Sequence, residues 1–145
     1  MKKKILVFGT FDIFHPGHEF HLKRAKKYGN ELNVVVARDE TVKQVKGQYP
    51  LNNEQDRFSF INSLDYIDKA FLGCGKDKYS IIEKIKPDII CIGYDQNSFT
   101  KDLKPILKKR GLNPKIIKFK KGFKTKVYKS SKLKLLLKDR SQTLI

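Results

Sequence analysis

Residues 3–29 read KKILVFGTFDIFHPGHEFHLKRAKKYG. The stretch opens on a nearly continuous apolar run bounded by lysine and glycine, the pattern of a strand buried on both faces of a parallel sheet, and it predicts a strand over 4–9. From Pro16 the apolar positions Leu22, Ala25 and Tyr28 recur at helical spacing, with proline near the first turn and Gly29 after the last, so a helix follows. The next segment, ELNVVVA at 31–37, is again a short apolar run. Strand, helix, strand is the βαβ unit of a parallel sheet.

The alternation continues outward. A helix is predicted over 52–64, with asparagine at its entry and Phe58, Ile61 and Leu64 at three-residue intervals. A strand over 68–73, a helix over 78–86, a strand over 87–93, a helix over 102–111 and a strand over 115–119 follow. Pro105 belongs in the first turn of its helix or kinks it. SSKLKLLLKDR, at 130–140, reads as a terminal helix with a serine cap and Leu133, Leu136 and Leu137 inward. The expected fold is α/β: one Rossmann-like domain over 1–145, a doubly wound parallel sheet of about five strands with helices on both faces. In such a sheet ligands sit beyond the carboxyl ends of the strands, which gathers GTFDIFHPGH, ARDETVKQVKG and GYDQNS, each following a strand, around one cleft.

Composition narrows the function classes. No apolar run approaches the roughly 18 residues of a membrane span, and the apolar stretch of MKKKILVF is too short for a signal peptide, so a cytoplasmic protein is expected. Two cysteines form neither a zinc pattern nor a disulfide framework; Cys91, in DIICIG, reads as a small buried hydrophobe and Cys74, in GCG, as a loop thiol. The formal charge is +17, and residues 101–145 carry 16 Lys or Arg against two Asp. That excess points to an anionic partner. Only five of the 32 basic residues are arginine, the residue suited to bidentate clamps, and Phe119, Phe123 and Tyr128 are too scattered for a base-stacking platform. A phosphorylated small molecule is therefore favoured over nucleic acid, with a homodimer as the commonest assembly for such a domain.

The chemistry concentrates in the first loop. Gly9 and Thr10 leave the strand where backbone approaches a ligand closely, and the helix that starts around Pro16 offers free N–H groups and a dipole to an anion. His15 and His18 are three apart, with Gly17 leaving room between them, so both rings can address one phosphate. Imidazoles partly or fully protonated beside a phosphate stabilise charge growing on its oxygens. His21 reads as packing or surface.

GTFDIFHPGH resembles the signature of the HxGH nucleotidylyltransferases, in particular their cytidylyltransferase-like branch. ELNVVVARDETV, VKG, YIDKAFLG and KIKPDIICIGYDQ extend the likeness, over most of residues 3–97, to the archaeal FAD synthase group. The resemblance implies transfer of AMP from ATP to FMN with a divalent cation, commonly Mg2+. The neighbouring activity in the branch is CTP-dependent transfer to glycerol 3-phosphate, phosphoethanolamine or a similar phosphorylated alcohol. It assigns His15, His18 and Lys46 to catalysis, with Lys43 the competitor of Lys46. Gly9, Thr10, Phe11, Gly17, Tyr94, Asp95, Gln96, Ser130 and Ser131 join the histidines around the nucleotide. Asp12, Lys43 and Arg57 are expected near the second substrate's phosphate, although Asp12 can instead orient a ring or a metal or order its own loop, and Arg57 can be a solvated helix charge. Ser130 is equally suited to cap its helix. The likeness weakens toward the end of the chain, where Lys124, Lys126 and Lys129 stand in place of the group's arginines.

Overall fold

The computed structural model describes residues 3–74, 77–93 and 102–119. Along them the chain runs β1 (Lys4–Gly9), α1 (Pro16–Lys26), β2 (Glu31–Val36), α2 (Asp39–Lys46), α3 (Glu54–Ser63), β3 (Lys69–Leu72), α4 (Ser80–Ile85), β4 (Ile89–Ile92), α5 (Leu103–Lys109) and β5 (Lys115–Lys118). The five strands pair in parallel in the order β3-β2-β1-β4-β5. After β1 the chain moves outward through β2 and β3, then crosses back to build β4 and β5 on the other side. The reversal falls between β1 and β4, the place where open parallel sheets leave a crevice.

Alternation along the strands divides the core. Ile5, Val7, Val34, Val36, Ile89 and Cys91 point to the face covered by Leu22 and Ala25 of α1 and Ile61 of α3. Leu6, Val35, Ile90 and Ile92 point to the other, under Ile81, Ile82 and Ile85 of α4 and Leu103 and Leu107 of α5. Both faces of the central strands are thus dry, which is why β1 is apolar at consecutive positions. Burial pushes the Cys91 thiol up to about 12, so it is the inert small hydrophobe expected, while Cys74 is exposed.

The predicted strands and helices all stand among the described residues except the terminal helix at 130–140, which lies outside them. Pro105 falls in the first turn of α5. Two differences matter. Helix α1 ends at Lys26, leaving Tyr28 outside it, tilted over the Phe119 ring. The segment 39–46, expected as loop, is helix α2. Val42 is its one buried residue, so no apolar period announces it. Its charges do: Asp39 and Glu40 sit in the first turn, Lys43 and Lys46 in the last, and Gly47 ends it in the left-handed conformation at φ 82°. Among the described residues no helix is long and apolar enough to cross a membrane.

Candidate functional site

β1 ends at Gly9, level with Val36 of β2, and the loop beyond it carries the histidines. Phe11 adopts φ 52°, rare for an aromatic residue, and its ring folds back beneath Gly9, where a Cβ would collide with it. Glycine at position 9 therefore makes room for Phe11, a reason different from the close ligand approach expected. Phe11 is buried and meets His18 edge-on, with centroids 5.4 Å apart.

His15 is the N-cap of α1, and the spacing to His18 builds a reciprocal capping box from two imidazoles. His15 Nδ1 accepts from the Gly17 N–H at 3.0 Å, and His18 Nδ1 accepts from the His15 N–H at 3.4 Å. The rings stack with centroids 3.8 Å apart and planes 23° from parallel. Since each Nδ1 is an acceptor, each neutral ring carries its proton on Nε2. The expected cradle of free backbone N–H groups is not there. Pro16 has none, Gly17 gives its own to His15, and those of His18 and Glu19 go to the His15 carbonyl at 3.0 and 3.2 Å. Donation to an anion at this helix start falls to the rings.

Burial, followed by the charges of His15, His21 and Lys46, pushes His18 down to about 3; burial also holds His15 below its ordinary value. Both shifts favour the neutral imidazoles in the free chain, whereas the protonation expected of the pair was beside a bound phosphate. Of the two α2 lysines weighed, Lys46 is the one whose charge acts on His18. Lys43, the competitor, reaches the Gly47 carbonyl at 3.4 Å and lies 5.2 Å over the Tyr49 ring. His21 packs edge-on against Phe119.

Asp12 and Arg57 are both engaged by the protein itself, Asp12 in the loop-ordering role that was its alternative. Asp12 is buried, and its carboxylate accepts from the N–H groups of Leu51 and Asn52, each at 2.8 Å. Arg57 is 1% exposed, so it is not a solvated helix charge. Its guanidinium donates to the carbonyls of Asn52 at 2.9 Å and Thr10 at 2.8 Å and to Asp39 Oδ1 at 2.7 Å. Glu54 completes the frame, accepting from the Asp39 N–H at 3.0 Å and from Arg38 at 2.8 Å. Asp12 and Arg57 hold the loop after β1, the start of α2 and the start of α3 together.

The structure thus gathers Gly9, Thr10, Phe11, His15, Gly17 and His18 in one loop and brings the Lys46 charge toward it. Tyr94, Asp95, Gln96, Ser130, Ser131 and the lysines at 124, 126 and 129 lie outside the described residues. Sequence reasoning missed Asn52, Asp39, Glu54 and Arg38; the acid-rich start of α2 was the available signal. It also missed Phe14, whose ring lies 5.5 Å from His18. Among the described residues no three His, Cys, Asp or Glu side chains gather to hold a metal ion. A groove of about 660 Å3 between α5 and β5 includes the turn at 111–114 that precedes β5, at the edge opposite the histidines.

The Cytidylyltransferase-like family matches residues 6–135. The chain is 38% identical over 140 residues to the FAD synthase of Methanohalophilus mahii, covering 97% of each. It is 44% identical over 128 residues to the FAD synthase of Methanothermus fervidus, covering 86% of this chain and 88% of that one. Among solved structures, a lipopolysaccharide core biosynthesis protein from Thermoplasma volcanium superposes with a TM-score of 0.79 at 37% identity, over 85% of this chain and 99% of the other.

Proposed function

The chain belongs to the cytidylyltransferase-like family, and we propose that it is an FAD synthase, transferring AMP from ATP to FMN with release of pyrophosphate. Relatives of that name align over most of its length. The observation that carries the chemistry is the stacked His15–His18 pair, capping α1 beyond the carboxyl end of the central strand.

A phosphate oxygen of FMN attacks the α-phosphorus of ATP. The new P–O bond forms as the bond to the leaving pyrophosphate breaks, and no covalent enzyme intermediate is needed. What the protein supplies is position and charge stabilisation. The two Nε2–H groups are set by the capping box to donate to oxygens of the reacting phosphate. Lys46 adds a positive charge for the phosphates. A triphosphate arriving beside His18 favours a second proton on its ring, which would go to Nδ1 at the expense of the hydrogen bond from the His15 N–H. A divalent cation, if carried in with ATP, would supply neutralisation of charge on the phosphates. Ser130, Ser131, Tyr94, Asp95 and Gln96 belong to the nucleotide in this reading, by the likeness of their motifs. The reading carries a single domain, a cytoplasmic location, small-molecule partners rather than nucleic acid, and homodimerisation as the commonest assembly.

The experiment is direct. Purified protein mixed with FMN, ATP and Mg2+ should quench flavin fluorescence as FAD accumulates. CTP with glycerol 3-phosphate or phosphoethanolamine should give no pyrophosphate above background. Pyrophosphate from that second mixture, with no quenching in the first under any divalent cation, overturns the flavin assignment in favour of a cytidylyltransferase.

A further inference from the structure

Phosphoryl transfer uses the histidines, yet a line of rings continues past them. His15 stacks on His18 at 3.8 Å, Phe14 lies 5.5 Å from His18, and Phe60 lies 5.0 Å from Phe14. The line surfaces at Phe60, 46% exposed on α3 between exposed Ser59 and buried Ile61. Leu51, 59% exposed, joins the same loop cluster through the hydrogen bond from its N–H to Asp12.

We propose that the exposed ring of Phe60, backed by Phe14 whose plane is tilted 55° from it, is the platform for the isoalloxazine ring of FMN, with Leu51 in the neighbouring loop, an inference that rests on FMN as second substrate. The topology selects the occupant. Helix α1 packs on β1 and β2 and α3 on β2 and β3, so Phe60 lies toward the β2 side of the histidines. The crevice between β1 and β4, where the nucleotide belongs, opens on the other side. A substrate whose phosphate is at the histidines and whose body extends along Phe14 to Phe60 brings its far end against an exposed aromatic face. FMN has that form: a phosphate, a flexible ribityl chain, and a flat tricyclic ring able to stack on an aromatic face. Phosphoethanolamine and glycerol 3-phosphate have nothing to place there.

The test uses Phe60→Ala, Phe60→Leu and Phe60→Tyr in the full chain, with the KM for FMN, the KM for ATP and the inhibition constant of lumiflavin, an isoalloxazine without phosphate. Phe60→Ala should raise the FMN KM and the lumiflavin constant about tenfold each, the scale of one aromatic stacking contact, and move the ATP KM less than about twofold. Phe60→Tyr should restore both, and Phe60→Leu, which keeps apolar bulk without a π-face, should fall between. FMN and lumiflavin values unchanged in a Phe60→Ala protein with the wild-type circular dichroism spectrum overturn the platform, as does a rise confined to ATP. Wild-type protein that makes no FAD refutes the reaction instead. In that case lumiflavin affinity, read by its own fluorescence, still judges the platform: weakening in Phe60→Ala supports it and equality overturns it.

Discussion

His18 is held by four contacts from three residues: Phe11 and Phe14 on its ring, His15 stacked beside it, and the His15 N–H on its Nδ1. Such fixing means that little reorganisation is needed when charge develops on a phosphate, the condition under which a donor is most effective. His18→Ala should therefore lower kcat by about 100-fold or more in the flavin fluorescence assay, with its circular dichroism spectrum unchanged. The same ring makes the fold acid-sensitive. Its value of about 3 lies below the ordinary 6.5, so between those limits the unfolded chain binds a proton that the folded chain does not. The stability that neutral His18 confers is complete above pH 6.5 and is lost as the pH falls toward 3. His18→Gln should flatten the wild-type decline of the urea midpoint between pH 6.5 and 4. An equally steep decline in the variant would assign the acid limb to other groups.

At the scale of elements, one buried arginine ties α2 and α3 to each other and to the loop after β1. Arg57 ties α3 to the carbonyls of Thr10 and Asn52 and to Asp39 at the start of α2. Removing one partner of a buried pair usually costs about 3–5 kcal/mol, and because Asp39 retains 29% exposure the lower part of that range applies. Arg57→Ala should thus destabilise by about 3 kcal/mol in urea unfolding. It should also impair catalysis without touching substrate, because Thr10 and Lys46 lose a common support. Gly47 is the second control point. Its φ of 82° closes α2 immediately after Lys46, and no atom lies where a Cβ would go. Gly47→Ala should cost about 1 kcal/mol by backbone strain alone, measured as the same kind of midpoint shift.

For the whole molecule the dominant field is that of the +17 charge. Anionic substrates such as ATP and FMN are drawn into it, so kcat/KM for both should fall as KCl rises from about 50 to 300 mM, through screening over the Debye length. A flat salt profile would mean that the surplus lysine is mere solvated surface. At this same scale the division between sequence and structure becomes clear. Consecutive buried positions in β1 and β4, helical spacing in α1, and a glycine–histidine loop between strand and helix are local patterns. They made the parallel sheet, its five strands and the His15–His18 pair legible, because a strand's period and a helix's period are written in neighbouring residues. Helix α2 was not legible, having one buried side chain. The fates of Asp12 and Arg57 were not legible either: a carboxylate and a guanidinium look the same in sequence whether they meet phosphate or backbone. Their partners at Leu51, Asn52, Thr10 and Asp39 lie 18 to 47 residues away along the chain, or across one loop in the case of Asn52 and Arg57. Only the folded sheet, which sets the ends of β1 and β2 side by side, decides that these charges face inward to build the site rather than outward to bind at it.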